Sequence, residues 1–232
     1  PNLKVCDIPA MVEVAKRHNL LVIVDNTFAS PWGCQPLSMG ADLVIHSTTK
    51  YLGGHSDLLG GAVVGSKELI SKIFMGRVHF GGAPDPHNCY LLERGMRTLH
   101  ARMPILTLNS AELARRLQDH PSVVRVQHVT LPSHPDYEVA QRVVPKGCGM
   151  LGIVVEGGDE GAMEFMSKLN LFYEATSLGG VESLIEVPAT SSHMAMPVDV
   201  RIAAGIEPGY VRMSIGIEDV EDLWEDLNQA LS

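Results

Sequence analysis

The stretch that most limits how this chain can fold is Leu20-Leu21-Val22-Ile23-Val24, an apolar run closed by Asp25. It is too short for a helix, and its second half is β-branched. That composition fits a strand buried on both faces of a parallel sheet, where alternation with polar residues is not needed. A helical pattern precedes it over residues 7–18. Asp7 can cap that helix, Pro9 falls in its first turn, and Ile8, Met11, Val12, Val14 and Ala15 recur at helical spacing. Leu43–Ile45 and Gly61–Val64 read as further strands of the same kind. Helix and strand in alternation, joined by short polar links, predict an α/β layer.

The second strand runs into His46-Ser47-Thr48-Thr49-Lys50-Tyr51-Leu52-Gly53-Gly54-His55. Here a lysine sits among hydroxyls and glycines, one strand beyond the acid that closes the first. A lysine amine can form an imine with an aldehyde. Ser47 and Thr49, at alternate positions, can hold a phosphate with the help of loop amides. Asp25 can hold a protonated ring nitrogen. These three needs together describe pyridoxal phosphate. Each residue also has a plainer reading. Lys50 could be a surface lysine beside a turn, and Asp25 a turn or capping residue before Asn26-Thr27. Ser47 and Thr49 could bond their own backbone. His46 and His55 lack metal-ligand spacing and read as satisfied polar residues near the site, so no metal is expected. Arg212, inside Val211-Arg212-Met213-Ser214-Ile215, must be paired. Its planar fork suits a ligand carboxylate or one of the protein's own acids.

Several ordered stretches carry a resemblance. They are Val24-Asp25-Asn26-Thr27-Phe28, Ala41 through Tyr51, Arg94-Gly95-Met96-Arg97-Thr98-Leu99, Ser177-Leu178-Gly179-Gly180-Val181-Glu182-Ser183-Leu184, and Gly209 through Glu218. Together they resemble the Cys/Met-metabolism family of pyridoxal-phosphate enzymes, which includes cystathionine γ-synthase, cystathionine γ- and β-lyases and methionine γ-lyase. The resemblance implies the fold-type-I, aspartate aminotransferase-like architecture. It implies Lys50 as catalytic and cofactor lysine, Asp25, Ser47 and Thr49 as cofactor-binding residues, and Arg212 and Ser177 as substrate-carboxylate residues. Thr176 falls where members differ, some carrying an acid. The implied reaction is elimination or replacement on a sulfur amino acid or an activated homoserine ester. The implied partners are an amino-acid substrate and further copies of the chain, as a dimer of dimers. Family members are longer, and Pro1-Asn2-Leu3-Lys4-Val5 looks like the middle of their cofactor domain. The resemblance therefore implies a preceding segment that supplies a phosphate loop, a ring-stacking aromatic and groups for a neighbouring subunit. A fragment that cannot bind cofactor, and an aminotransferase-like member of the same fold, are the rival readings.

The rest of the chain predicts a second unit. Residues 85–117 turn helical, and Pro104 is expected to kink or divide that segment. We expect residues 1–105 to be the later part of the cofactor domain, with a parallel-type sheet, and 106–232 to be a small α+β domain. Its strand candidates are Val123–His128, Met150–Glu156, Phe172–Ala175, Ser183–Glu186 and Val211–Ile215. Its helix candidates are Gly161–Leu169, Val198–Ala204 and Val220–Leu231. The Pro-, His- and Gly-rich stretch 128–149 reads as a mobile loop. Arg97 and Glu93 read as helix-surface or interface residues, and Met194 and Met196 as packing. A net charge of −9 with no basic run argues against nucleic acid. No run approaches about 18 apolar residues, so no membrane span is expected. Four scattered cysteines, Cys6, Cys34, Cys89 and Cys148, predict reduced buried thiols in a cytoplasmic protein rather than a disulfide framework.

Overall fold

The computed structural model describes residues 2–232. Two sheets organise it. The first is three-stranded, in the order β1 (Ile23–Asp25), β2 (Leu43–Ser47), β3 (Gly61–Gly65). β1 and β2 are parallel, with Asp25 opposite Ile45, and β3 joins β2 antiparallel. α1 (Ile8–Arg17) leads into β1 and follows its sequence signals closely. The Asp7 carboxylate accepts from the Ala10 amide at 3.2 Å, and Lys16 and Arg17 occupy the negative end of the helix dipole. Ile8, Val12 and Ala15 are its buried face.

β1 departs from expectation. It is not buried on both faces: Leu20, Leu21 and Ile23 are 63, 60 and 55% exposed. Apolar burial needs a partner on each side, and β1 has β2 on one edge only. The Val22 carbonyl and the Asn26 amide bond towards β2, so by strand alternation the amides and carbonyls of Ile23 and Asp25 face the open edge. A groove of about 1020 Å³ lies along it, walled by Val5, Met11, Val14, Ile23 and Phe28.

α2 (Ser30–Gly33) lies between β1 and β2, and after β3 come α3 (Lys67–Phe80), α4 (Pro86–Met96) and α5 (Leu99–Leu117). α3 went unread in the sequence because its hydrophobic residues do not form one stripe, and none of them is buried. Pro104 does not divide the long helical segment; it sits inside α5, and the break falls at Arg97–Thr98. The Gly95 carbonyl explains the break. It receives the Thr98 amide at 3.1 Å, the Thr98 hydroxyl at 3.0 Å and Arg102 at 3.0 Å, which turns the chain before α5 begins.

The second sheet is built from β4 (Val123–Gln127), β5 (Met150–Val155), β6 (Tyr173–Glu174), β7 (Leu184–Glu186) and β8 (Tyr210–Ser214), in the order β4-β5-β8-β7-β6. Only β6 and β7 run parallel. α5, α7 (Gly158–Ser167) and α9 (Val220–Leu231) cover one face, where Leu113, Leu117, Phe165, Met213 and Leu227 close the larger core. Each fully buried side chain of this size stabilises by about 1.5–3 kcal/mol. The earlier half of α5 serves a second core instead, where Met103 and Leu106 meet Tyr51, Met150 and Leu178. One helix thus joins the lysine loop to the second sheet.

Three further expectations are corrected. The stretch 128–149 is not a plain loop: it contains α6 (Tyr137–Val143), and His128, Leu131, Ala140 and Cys148 anchor it in the interior. Its glycines and prolines mask that apolar set. Cys6 and Cys89 are exposed, so only Cys34 and Cys148 are buried thiols. Met194 is 70% exposed rather than packed, in a turn-rich segment ahead of α8 (Val198–Ala203). Among the described residues no helix is long and apolar enough to cross a membrane.

Candidate active site

Lys50 stands in a π turn, Thr48–Leu52, that follows β2 directly. Its own backbone leaves helical torsion, at φ −91° and ψ −135°, inside that turn. The turn is tied down on several sides. The Thr48 amide bonds the Gly60 carbonyl at 2.9 Å, and the Gly54 amide bonds the Lys50 carbonyl at 2.8 Å. Arg102, buried, donates to the Tyr51 carbonyl and the Gly95 carbonyl, each at 3.0 Å. A Cβ on Gly95 would strike the Gly53 carbonyl, so glycine there permits the close approach of α4 to the turn.

From this turn the Lys50 Nζ reaches the Ser177 Oγ at 2.7 Å. Burial pushes the amine below the ordinary lysine value, and the nearby Arg212 charge pushes it the same way. Arg212 lies on β8. Its Nη2 donates to the Thr176 carbonyl at 2.8 Å and to the Ser177 carbonyl at 3.2 Å. Its Nη1 faces Glu186 Oε1 at 2.9 Å. The arginine is therefore paired to one of the protein's own acids, the plainer of its two sequence readings. A guanidinium has five N–H groups, so these three contacts leave donors for a second carboxylate.

Asp25 ends β1, on the same sheet face as Ile45 and Ser47. Its Oδ1 accepts from the Thr27 hydroxyl at 2.6 Å and the Thr27 amide at 3.0 Å. The Thr27 hydroxyl in turn accepts from the Ser47 amide at 2.8 Å. One threonine thus couples the acid to the strand end that leads into the lysine turn, and leaves Asp25 Oδ2 for another donor. Thr27 was missed in the sequence; its place two residues after a strand-terminal acid is the signal of an Asx-type turn. Thr49 uses its hydroxyl to accept from the Gly60 amide at 3.1 Å, while its contact to the Gly60 carbonyl is long, at 3.5 Å. The hydroxyl proton of Thr49 remains available to an anion. His46 is buried on the opposite sheet face, and desolvation holds it below the ordinary histidine range against the opposing pull of Asp25. His55 is exposed and bonds the Gly53 carbonyl at 2.9 Å.

Lys50, Ser177 and Arg212 therefore converge, and Asp25, Thr27 and Ser47 form a second linked set beside them. Glu186, Thr27 and Arg102 are members that sequence reasoning did not single out. A partly desolvated lysine, an acid with one oxygen held and one open, and hydroxyls at the strand end fit an aldehyde cofactor with a basic ring nitrogen and a phosphate.

The whole chain, residues 1–232, matches the family model described as "Cys/Met metabolism PLP-dependent enzyme". It is 44% identical over 232 residues to cystathionine gamma-lyase of Bacillus subtilis, covering 100% of this chain and 61% of that one. It is 43% identical over 233 residues to cystathionine beta-lyase of Lactococcus lactis, with 100 and 61% covered. The solved cystathionine gamma synthase of Xanthomonas oryzae pv. oryzae superposes with a TM-score of 0.96 at 43% identity, over 100% of this chain and 60% of that one. The fold is therefore the fold-type-I architecture these proteins share, and the chain spans about 60% of the length of the relatives it matches. With its lysine turn, strand-end acid and paired arginine in that setting, the chain belongs to the Cys/Met metabolism PLP-dependent enzyme family.

Proposed function

We propose that this chain carries the cofactor and substrate residues of a pyridoxal-phosphate enzyme that acts on a sulfur amino acid or an activated homoserine ester by elimination or replacement. The observation that carries this reading is the convergence of Lys50 and Arg212 on Ser177, at 2.7 and 3.2 Å. Lys50 is the attachment and proton-transfer residue. Asp25 Oδ2, with Oδ1 pinned by Thr27, receives the ring N–H. Ser47 and Thr49 take the phosphate. Arg212 takes the substrate carboxylate. When bound, pyridoxal phosphate supplies an electron sink for negative charge at the substrate Cα.

The chain's own residues account for the rest. A lysine held below its ordinary range has a larger unprotonated fraction near neutrality, which a base at Cα needs. Ser177 keeps Nζ beside Arg212, so an amino acid gripped at its carboxylate presents its amine and Cα hydrogen to the lysine. The matched relatives include a γ-lyase, a β-lyase and a γ-synthase, all near the same identity. The reading therefore extends to the reaction family and not to one member of it. We place the protein in the cytoplasm, where its four unpaired cysteines would stay reduced.

The open edge of β1 favours a second reading, in which activity needs more polypeptide than this chain. Ile23 and Leu21 lie exposed beside the groove, and the relatives are longer by the part this chain does not span. Further chain, or a second copy in a homo-oligomer, would cover that edge.

One experiment separates the two. The purified chain with pyridoxal phosphate is assayed for release of 2-oxo acid, ammonia and thiol from L-cystathionine and L-methionine, and for replacement on an O-acylhomoserine with a thiol. Turnover that vanishes in Lys50→Ala supports the enzymatic reading. Inactivity that is restored by adding the unmatched part of the Bacillus subtilis relative supports the second. Inactivity under both conditions contradicts both.

A further inference from the structure

Arg102 is a buried cation with no acid beside it. It is 4% exposed, and desolvation pushes it below the ordinary arginine value. Among the described residues no carboxylate pairs with it. A charge buried in this way is costly unless hydrogen bonds replace the lost water. Its partners are neutral oxygens: Nη2 donates to the Tyr51 and Gly95 carbonyls and Nε to the Thr98 hydroxyl, each at 3.0 Å.

These acceptors lie on different elements. Tyr51 stands one residue before the end of the turn Thr48–Leu52, and Gly95 one residue before the end of α4. Helical ends leave carbonyls short of amides, and a cation there meets the negative end of the helix dipole. One guanidinium thus closes two such ends, and it belongs to a third element, α5. The chain is shaped around it. Gly54, which follows the turn, has φ +75°, and a Cβ there would fall on the Arg102 guanidinium.

A buried arginine can serve the fold alone. Three observations connect this one to the site. Met103 and Leu106, on the same helix, share a core with the Tyr51 ring, so α5 holds Tyr51 at both its ring and its carbonyl. Tyr51 directly follows Lys50. The later half of α5, through Leu113 and Leu117, packs into the core of the second sheet, to which the Ser177 segment is tied by the Gly179 amide donating to the Ser214 hydroxyl at 2.9 Å. The contact between Lys50 and Ser177 therefore spans two segments whose separation α5 fixes.

We propose that Arg102 is a positioning residue that fastens the lysine turn to α5 and so holds the Lys50 amine beside Ser177. The proposal rests on the role given to Lys50 above.

The test needs no cofactor. The reaction of each lysine with a trace of acetic anhydride is followed across neutral and alkaline pH by mass spectrometry, which gives every amine a midpoint and a limiting rate. In the wild-type chain Lys50 should titrate below the exposed Lys67. Arg102→Met removes every donor, and should raise the Lys50 midpoint towards that of Lys67 and its limiting rate roughly fivefold, the worth of about one hydrogen bond in opening the turn. Arg102→Lys keeps the cation without the planar fork, and should move both the same way but less. Leu113→Ala, a cavity in the same helix, should lower stability and leave Lys50 as in the wild-type chain. If Lys50 and Lys67 titrate alike in the wild-type chain, the proton-transfer role of Lys50 fails and takes the proposal with it. If Lys50 titrates low and Arg102→Met leaves its midpoint and rate unchanged, or Leu113→Ala shifts both as much, Arg102 serves the fold alone; the proposal is overturned and the Lys50 reading stands. Should Arg102→Met not fold, an unmoved Lys50 in Arg102→Lys overturns the proposal in its place.

Discussion

The Lys50 amine and the Ser177 hydroxyl, 127 positions apart in sequence, meet at 2.7 Å. This single bond joins the turn between β2 and β3 to the segment that also anchors Arg212. It brings the amine proposed to bind an aldehyde next to the cation proposed to receive a carboxylate.

Arg212 adds to burial in holding the Lys50 amine below the ordinary lysine range. Replacing Arg212 and Glu186 together by glutamine removes the neighbouring cation without leaving an acid unpaired. The Lys50 amine should then titrate at higher pH than in the wild-type chain, because one of the two causes of its depression is gone. Reductive ¹³C-methylation of Lys50, followed by NMR against pH, reads this directly. An unchanged titration would assign the whole depression to burial.

Thr27 should matter to the cofactor although it is proposed to touch none of it. Thr27→Val keeps the shape and removes the hydroxyl that bridges Asp25 Oδ1 and the Ser47 amide. Losing these bonds should cost about 1–3 kcal/mol, seen as roughly tenfold weaker binding of pyridoxal phosphate in a fluorescence titration. Equal affinity would mean that Asp25 needs no such brace.

Gly95→Ala should run against helix propensity. Alanine late in a helix ordinarily stabilises by about 0.5–1 kcal/mol relative to glycine. Here the new methyl meets the Gly53 carbonyl, so the chain should lose about 1–3 kcal/mol and Lys50 should become more accessible to amine reagents. A thermal melt and the labelling rate check both parts.

His128 should make the fold acid-sensitive. It is fully buried between the Ser110 hydroxyl at 3.1 Å and the Thr130 hydroxyl at 2.7 Å, and desolvation lowers it from its ordinary 6.5 to about 4. Between those two values the unfolded chain binds the proton and the folded chain does not. Stability from this group is therefore full above about pH 6.5 and lost as pH falls towards 4, in all about 3 kcal/mol. Urea midpoints at several pH values should show this fall in the wild-type chain and a smaller one in His128→Gln.

Much of this was legible in the residues, for identifiable reasons. α9 was readable to its ends because Asp219 caps it and its apolar stripe is regular. Asp25 drew attention because it closes a short apolar run, and Lys50 because it stands among hydroxyls and glycines, although Asp25 lies exposed at the end of β1. What stayed hidden depends on distance in sequence. Glu186 reads as an ordinary acid at the end of a strand until β7 and β8 are set side by side. Arg102 reads as a helix-surface arginine until the Tyr51 carbonyl is placed beneath it. The exposure of Ile23 could not be read from its run, because burial of a strand depends on neighbours the run does not contain. α6 was hidden by the prolines and glycines on either side of it.

The central claim, that this chain holds a working cofactor lysine, is tested most directly by adding pyridoxal phosphate, recording the visible spectrum, reducing with borohydride and mapping the label by mass spectrometry. The account predicts a visible band that disappears on reduction and a pyridoxyl group on Lys50 alone. Label scattered over exposed lysines such as Lys67 and Lys72, with none concentrated on Lys50, would contradict it.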